Sequence, residues 1–145
     1  MKKIIILFAL SFLLNSYSDA QPNKRSATES AIRSVLDKQI IAWNEANINE
    51  FMKGYWKSDS ILFIGRKITS GWDSTLVRYK KSYPDKTTMG KLRFEILRLD
   101  FASSEACLVT GKYFLTREKD NPNGIFTLLF KKKKGHWVIV YDHTS

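Results

Sequence analysis

The chain has 145 residues, with 24 Lys+Arg against 14 Asp+Glu and a formal net charge of +10. That length holds one domain with a real core and excludes two. A single cysteine, Cys107, excludes an internal disulfide, and His136 and His143 with that cysteine make no metal set of usual spacing, so no metal or other cofactor is expected.

The first 20 residues read as a secretory signal peptide. Lys2 and Lys3 form a basic start, Ile4 to Leu14 is an apolar run broken only by Ser11, and Ser18-Asp19-Ala20 sets small residues before a cut. A run of eleven residues is too short to span about 30 Å of hydrocarbon, so no stable membrane insertion is expected after cleavage. The expected location is extracytoplasmic, either periplasmic or secreted. Removing Lys2, Lys3 and Asp19 still leaves a charge of +9. Export sets nucleic acid aside as its partner. The run Lys131-Lys132-Lys133-Lys134 has no interleaved aromatics and reads as a solvated strand end.

Residues 21–27 read as a flexible leader and 28–145 as the domain. Ser26 with Glu29 has capping-box spacing, so a helix should follow to about Ala46, with a stripe of Ile32, Val35, Leu36, Ile40 and Trp43. Asn47 with Glu50 repeats the signal and opens a short second helix. Ile61 to Ile64 is a short apolar strand, and Gly65 and Ser70-Gly71 punctuate a hairpin around Ile68. A third helix runs from Trp72, with Leu76, Tyr79 and Tyr83 on its stripe, and Pro84 stops it.

The rest is sheet. Leu92 to Phe101 alternates, then slips phase near Ile96-Leu97, which predicts a β-bulge. Strands follow at 106–117, 125–132 and 137–143, the last two joined across Lys134-Gly135. The fold class is α+β: a curved antiparallel sheet packed on three N-terminal helices. Strands 125–130 and 137–141 are apolar on both faces. Helices cover only one face, so a homodimer is expected to cover the other.

Several segments carry a family resemblance. They are Ala42-Trp43-Asn44-Glu45-Ala46-Asn47, Gly71-Trp72, Met89-Gly90-x-Leu92-x-Phe94, Thr110-Gly111-Lys112-Tyr113 and the ending Gly135 to Ser145. With these the chain resembles the nuclear transport factor 2-like superfamily, and within it a SnoaL-like group of small bacterial proteins of unassigned function. The resemblance covers about Ser30 to Ser145. It implies a cone-shaped sheet closed by helices around an internal pocket, commonly in a dimer. It implies no single activity, because such folds host enzymes and binders alike.

Carried over by position, the resemblance is mostly negative about chemistry. The carboxylate base of ketosteroid isomerases falls on Phe63, and their oxyanion-stabilising tyrosine falls on Gln39. An apolar ring cannot take a proton, so that mechanism is absent. The arginine-lined pocket of the calcium/calmodulin-dependent protein kinase II association domain falls on Lys112, Leu128 and Thr144, of which only Lys112 is charged. The alignment places Lys112, Leu128, Val140, Asp142 and Thr144 on the concave face and Trp137, Ile139, Tyr141 and His143 on the convex one. Aromatic candidates for the pocket wall are Trp43, Tyr55, Phe63, Trp72 and Phe94.

Three functions remain in play. The first is an exported pocket domain that binds a small apolar or anionic ligand without a reaction. The second is a cyclase, isomerase or hydratase with Asp142 as general acid/base. The third is a dimeric interaction module whose pocket is filled by side chains. Asp142 paired structurally with Lys112 is the expectation set against catalysis.

Overall fold

A computed structural model describes residues 20–145. The signal-peptide reading of residues 1–19 lies outside the described residues. In chain order the elements are α1 (Ala20–Asn44), α2 (Ile48–Met52), β1 (Leu62–Ile64), β2 (Ile68–Ser70), α3 (Trp72–Ser82), α4 (Lys86–Met89), β3 (Lys91–Ser103), β4 (Ala106–Thr116), β5 (Asn123–Lys133) and β6 (His136–Thr144).

Helix α1 starts before the expected cap, so Ser26 and the leader 21–27 lie inside it. Good helix formers such as Ala20, Gln21, Lys24 and Arg25 surround Pro22. The expected stripe is the buried face: Ile32, Leu36 and Trp43 are core residues, and Val35 and Ile40 pack against it. Asn47 caps α2 as its spacing predicts, its side chain accepting from the Glu50 N–H.

The segments behind the resemblance have plain mechanical roles. Trp43 Nε1 donates to the Met89 carbonyl at 3.1 Å. Asn44 Nδ2 donates to the Leu92 carbonyl at 3.2 Å, and its Oδ1 accepts from the Leu92 N–H at 2.8 Å. Asn44 thus pairs with the first residues of β3 as a strand would, tying the end of α1 to the sheet. Trp72 Nε1 donates to the Met52 carbonyl at 2.9 Å and holds α3 to α2. Each bond satisfies a polar group that packing removes from water.

The sheet has six strands in the order β2-β1-β6-β5-β4-β3. The expectation of an antiparallel sheet holds for the meander β3 to β6 and for the β1–β2 hairpin. It fails at one seam, since β1 runs parallel to β6. β1 meets β6 only after the whole intervening meander, and a connection of that length permits parallel pairing. The two-residue turn Lys134-Gly135 has positive φ at both positions (49° and 83°), the twist a tight hairpin needs.

Two bulges set the phase of the inner face. Ile96 pairs with Gly111 and Arg98 with Thr110, so Leu97 is the extra residue, at the expected place. Leu129 pairs with Tyr141 and Phe130 with Ile139, so Val140 is an extra residue that alternation did not reveal. Before Val140 the inner residues of β6 are Trp137 and Ile139; after it they are Asp142 and Thr144. This overturns the expectation that Trp137 and Ile139 lie on the convex face. Ile139 is fully buried, and its backbone binds the segment after α2, with its N–H donating to the Gly54 carbonyl and its carbonyl accepting from the Trp56 N–H.

Candidate functional site

The inner face of the sheet and helices α1, α2 and α3 line a cavity of about 640 Å³. One end is closed by α1 and α2. Gln39 projects from α1, is almost wholly buried, and donates through Nε2 to the Phe51 carbonyl at 3.1 Å. Its amide lies over Gly54, where a Cβ would come within 2.7 Å of it, so the bare backbone makes the space for Gln39. The walls are aromatic. Trp43 meets Phe51 edge-on at 5.2 Å, Phe63 meets Tyr79 edge-on at 5.6 Å, and Phe94 meets Phe126 edge-on at 5.2 Å. Such edge-to-face pairs fix ring orientation as well as burying area. On β4, Gly111 lets the Phe126 ring lie across the strand, where any Cβ would collide with it.

Asp142 is the polar centre of this cavity. It is 4% exposed. The Tyr55 hydroxyl donates to its Oδ2 at 2.6 Å and the Thr144 hydroxyl donates to its Oδ1 at 2.7 Å. The 2.6 Å distance is typical of a charge-assisted O–H···O⁻ bond. Burial pushes the carboxyl up to about 6, while the bonds from Tyr55 and Thr144 and the charges of Arg78 and His143 pull it down. Burial, followed by the charge of Asp142, holds the phenols of Tyr55 and Tyr79 well above their ordinary value.

Of the residues proposed from sequence, Gln39, Trp43, Tyr55, Phe63, Phe94, Leu128, Asp142 and Thr144 all line the cavity. Two do not. Trp72 packs beside the core, and Lys57 lies over its ring at 5.1 Å. Lys112 is exposed on the outer face, where it pairs across strands with Glu95 and with the exposed Ile125. Asp142 therefore has no lysine partner. The partners it has are two hydroxyls.

The cations that do reach the cavity come from elsewhere. Arg66 stands in the turn between β1 and β2, Arg78 on α3, and Arg117 just after β4. Arg78 lies over the Phe63 ring at 4.7 Å and donates through Nη1 to the Thr69 hydroxyl at 2.9 Å. Nothing in the local pattern marked Arg66 or Arg117. Among the described residues that line the cavity, Asp142 is the sole Asp or Glu.

Residues 32–145 match the SnoaL-like domain family. The chain belongs to that family. An NTF-2 like protein of unknown function from Shewanella oneidensis is 41% identical, with a TM-score of 0.79 over 81% of this chain and 98% of its own. Its likeness places this SnoaL-like domain in the nuclear transport factor 2-like superfamily. Two more distant structures share the fold alone. One is a hexachlorocyclohexane dehydrochlorinase (LinA) type 2, 15% identical, with a TM-score of 0.68 over 86% of this chain and 88% of its own. The other is a putative calcium/calmodulin-dependent protein kinase type II association domain from Thiobacillus denitrificans, 14% identical, with a TM-score of 0.66 over 78% and 92%. No curated protein matches the chain in sequence.

Proposed function

We propose that this SnoaL-like domain is an exported pocket protein that binds one small, largely apolar ligand. One observation carries the reading: an aromatic-walled cavity of about 640 Å³ with the buried, hydrogen-bonded carboxyl of Asp142 in its lining. That volume lies in the range of sites that take drug-sized molecules. The open volume speaks against an interaction module with a filled pocket. Native mass spectrometry of protein purified from its own host tests it. A bound small molecule that leaves on denaturation is the expected result, and an empty cavity in freshly isolated protein overturns it.

The dehydrochlorinase among the structural neighbours keeps catalysis as a second reading, and the raised pKa of Asp142 favours it. A carboxyl near 6 is poised to exchange a proton at neutral pH. Against it stands that Asp142 is the sole Asp or Glu among the described residues that line the cavity. Should a substrate be found, Asp142→Asn in an enzyme cuts turnover by about 10²–10⁴-fold while sparing affinity. In a binder it changes affinity alone.

Export rests on Lys2, Lys3 and the apolar run from Ile4. N-terminal sequencing should find Gln21 or a close neighbour first; an intact Met1 on extracytoplasmic protein overturns it. The homodimer rests on the outer face, where Leu108, Leu129 and Tyr141 lie side by side across three strands and Ile125 is half exposed. A specific interface takes about 800 Å² per partner. Sedimentation as a monomer at tens of micromolar removes the dimer.

A further inference from the structure

The same cavity holds an arrangement that the reading above leaves unused. Tyr83 is its centre. The Tyr83 ring stacks on Tyr79 at 5.8 Å and meets Trp43 edge-on at 4.8 Å, so packing fixes where its hydroxyl points. Arg117, Arg78, Tyr83 and Tyr113 all line the same cavity. The positive charges of both arginines act on the Tyr83 phenol, Arg117 the more strongly, and Tyr113 is its third polar neighbour.

Arg117 is built in, yet incompletely partnered. Gly90 has φ 67°, and a Cβ there would come within 2.6 Å of Arg117 Cγ and 2.5 Å of the Thr116 carbonyl oxygen. The missing side chain lets the Arg117 stem lie flat against the backbone. Arg117 Nε is buried and has no hydrogen-bond acceptor among the described residues. The carboxylate of Asp120 comes only to 3.7 Å, and that residue is largely exposed. A buried N–H without an acceptor is unfavourable, and a carboxylate drawn against this guanidinium lessens the penalty through its charge. Arg78 has capacity left as well, because both of its hydrogen bonds leave from Nη1, to the Thr69 hydroxyl and the Lys67 carbonyl.

We propose that Arg117, Arg78 and the hydroxyls of Tyr83 and Tyr113 form an oxyanion subsite that takes the carboxylate of a ring-bearing carboxylic acid. The ring lies among the aromatic walls, and the far end of the ligand reaches toward Asp142 and Tyr55. Guanidinium groups bind carboxylates through paired, charge-assisted bonds. A monoanion fits better than a dianion, because Asp142 already puts one negative charge in the same cavity. This inference rests on the pocket reading and adds the charge and orientation of the ligand.

The test is calorimetric titration of the mature chain with two probes of equal shape, 4-phenylbutyrate and its neutral amide, alongside NMR of the arginine Nε–H groups. The expected result is a preference for the carboxylate of roughly tenfold or more. The Arg117 Nε–H resonance should move on adding the carboxylate and not the amide. Arg117→Gln should abolish the preference. Tyr83→Phe keeps the ring stack and should reduce the preference, which serves if Arg117→Gln does not fold. Equal affinity for the two probes, or a preference that survives both substitutions, overturns the subsite while the pocket reading stands. Failure of both probes to bind, with an uncharged molecule released from the native protein, also overturns the subsite alone. Failure of both with an empty native protein overturns the two together.

Discussion

The two halves of β6 lie on one strand and have opposite uses. Trp137 and Ile139, before the bulge, seal the sheet against α1 and the segment after α2. Asp142 and Thr144, after it, hold the polar centre of the cavity. Val140 separates them as the unpaired residue. A single extra residue thus converts one strand from a packing element to a site element without changing its face of the core. The first half tolerates no polarity. The second half is built around it.

The sharpest way to break this contrast is Ile139→Asp. It buries a carboxylate with no partner, and the expected loss of several kcal/mol is comparable with the whole stability of a domain this size. Circular dichroism with urea titration should find the variant unfolded or aggregated. A well-folded, wild-type-like variant would return Ile139 to the outer face.

The next effect belongs to the other half. Asp142 has a carboxyl near 6 when folded, against 3.8 for the ordinary group. Between those values the folded chain keeps a proton that the unfolded chain releases. The stabilising contribution is therefore complete below about pH 4 and is lost as pH rises through about 6. The shift corresponds to roughly 3 kcal/mol. Asp142→Asn should flatten that part of the stability profile, measured as the difference from wild type in urea titrations from pH 4 to 7. Tyr55→Phe should move the window upward, because the Tyr55 hydroxyl pulls the carboxyl down. A window that stays put in Tyr55→Phe would mean that this bond is not made.

The smallest effect sharpens the inner and outer assignment of β4. Lys112→Ala should change stability by no more than about 0.5 kcal/mol and leave ligand affinity untouched. A tenfold loss of affinity would put Lys112 back in the pocket.

These contrasts also show what the sequence could disclose. The helices, the hairpin around Ile68, the bulge at Leu97 and the turn at Lys134-Gly135 were legible because caps, glycines and alternation encode them locally. The short α4, capped by Asp85, was not seen. The placement of Lys112 was recoverable from the strand itself. Cys107, Val109, Gly111, Tyr113 and Leu115 form the inner set of β4, and the lysine lies between two of them. Alignment to a distant family overrode that alternation. The phase of β6 was not recoverable, because Trp137 to Tyr141 is apolar at every position and a bulge leaves no trace in such a run. The arginines of the cavity escaped for another reason. Arg66, Arg78 and Arg117 stand on three separate segments, and only the closed fold brings them to one space.

The order of strands carries a consequence for how this chain comes together. The β1–β2 hairpin and the β3–β4–β5 meander touch the sheet on opposite sides of β6 and do not pair with each other. Until β6 has been synthesised and docked, the hairpin has no ladder to join, and the ring of aromatics has no floor. The bond from Tyr55 to Asp142 joins residues 87 apart, so the site belongs to the last and most non-local contacts to form. A nascent chain that ends before His136 should remain protease-sensitive throughout.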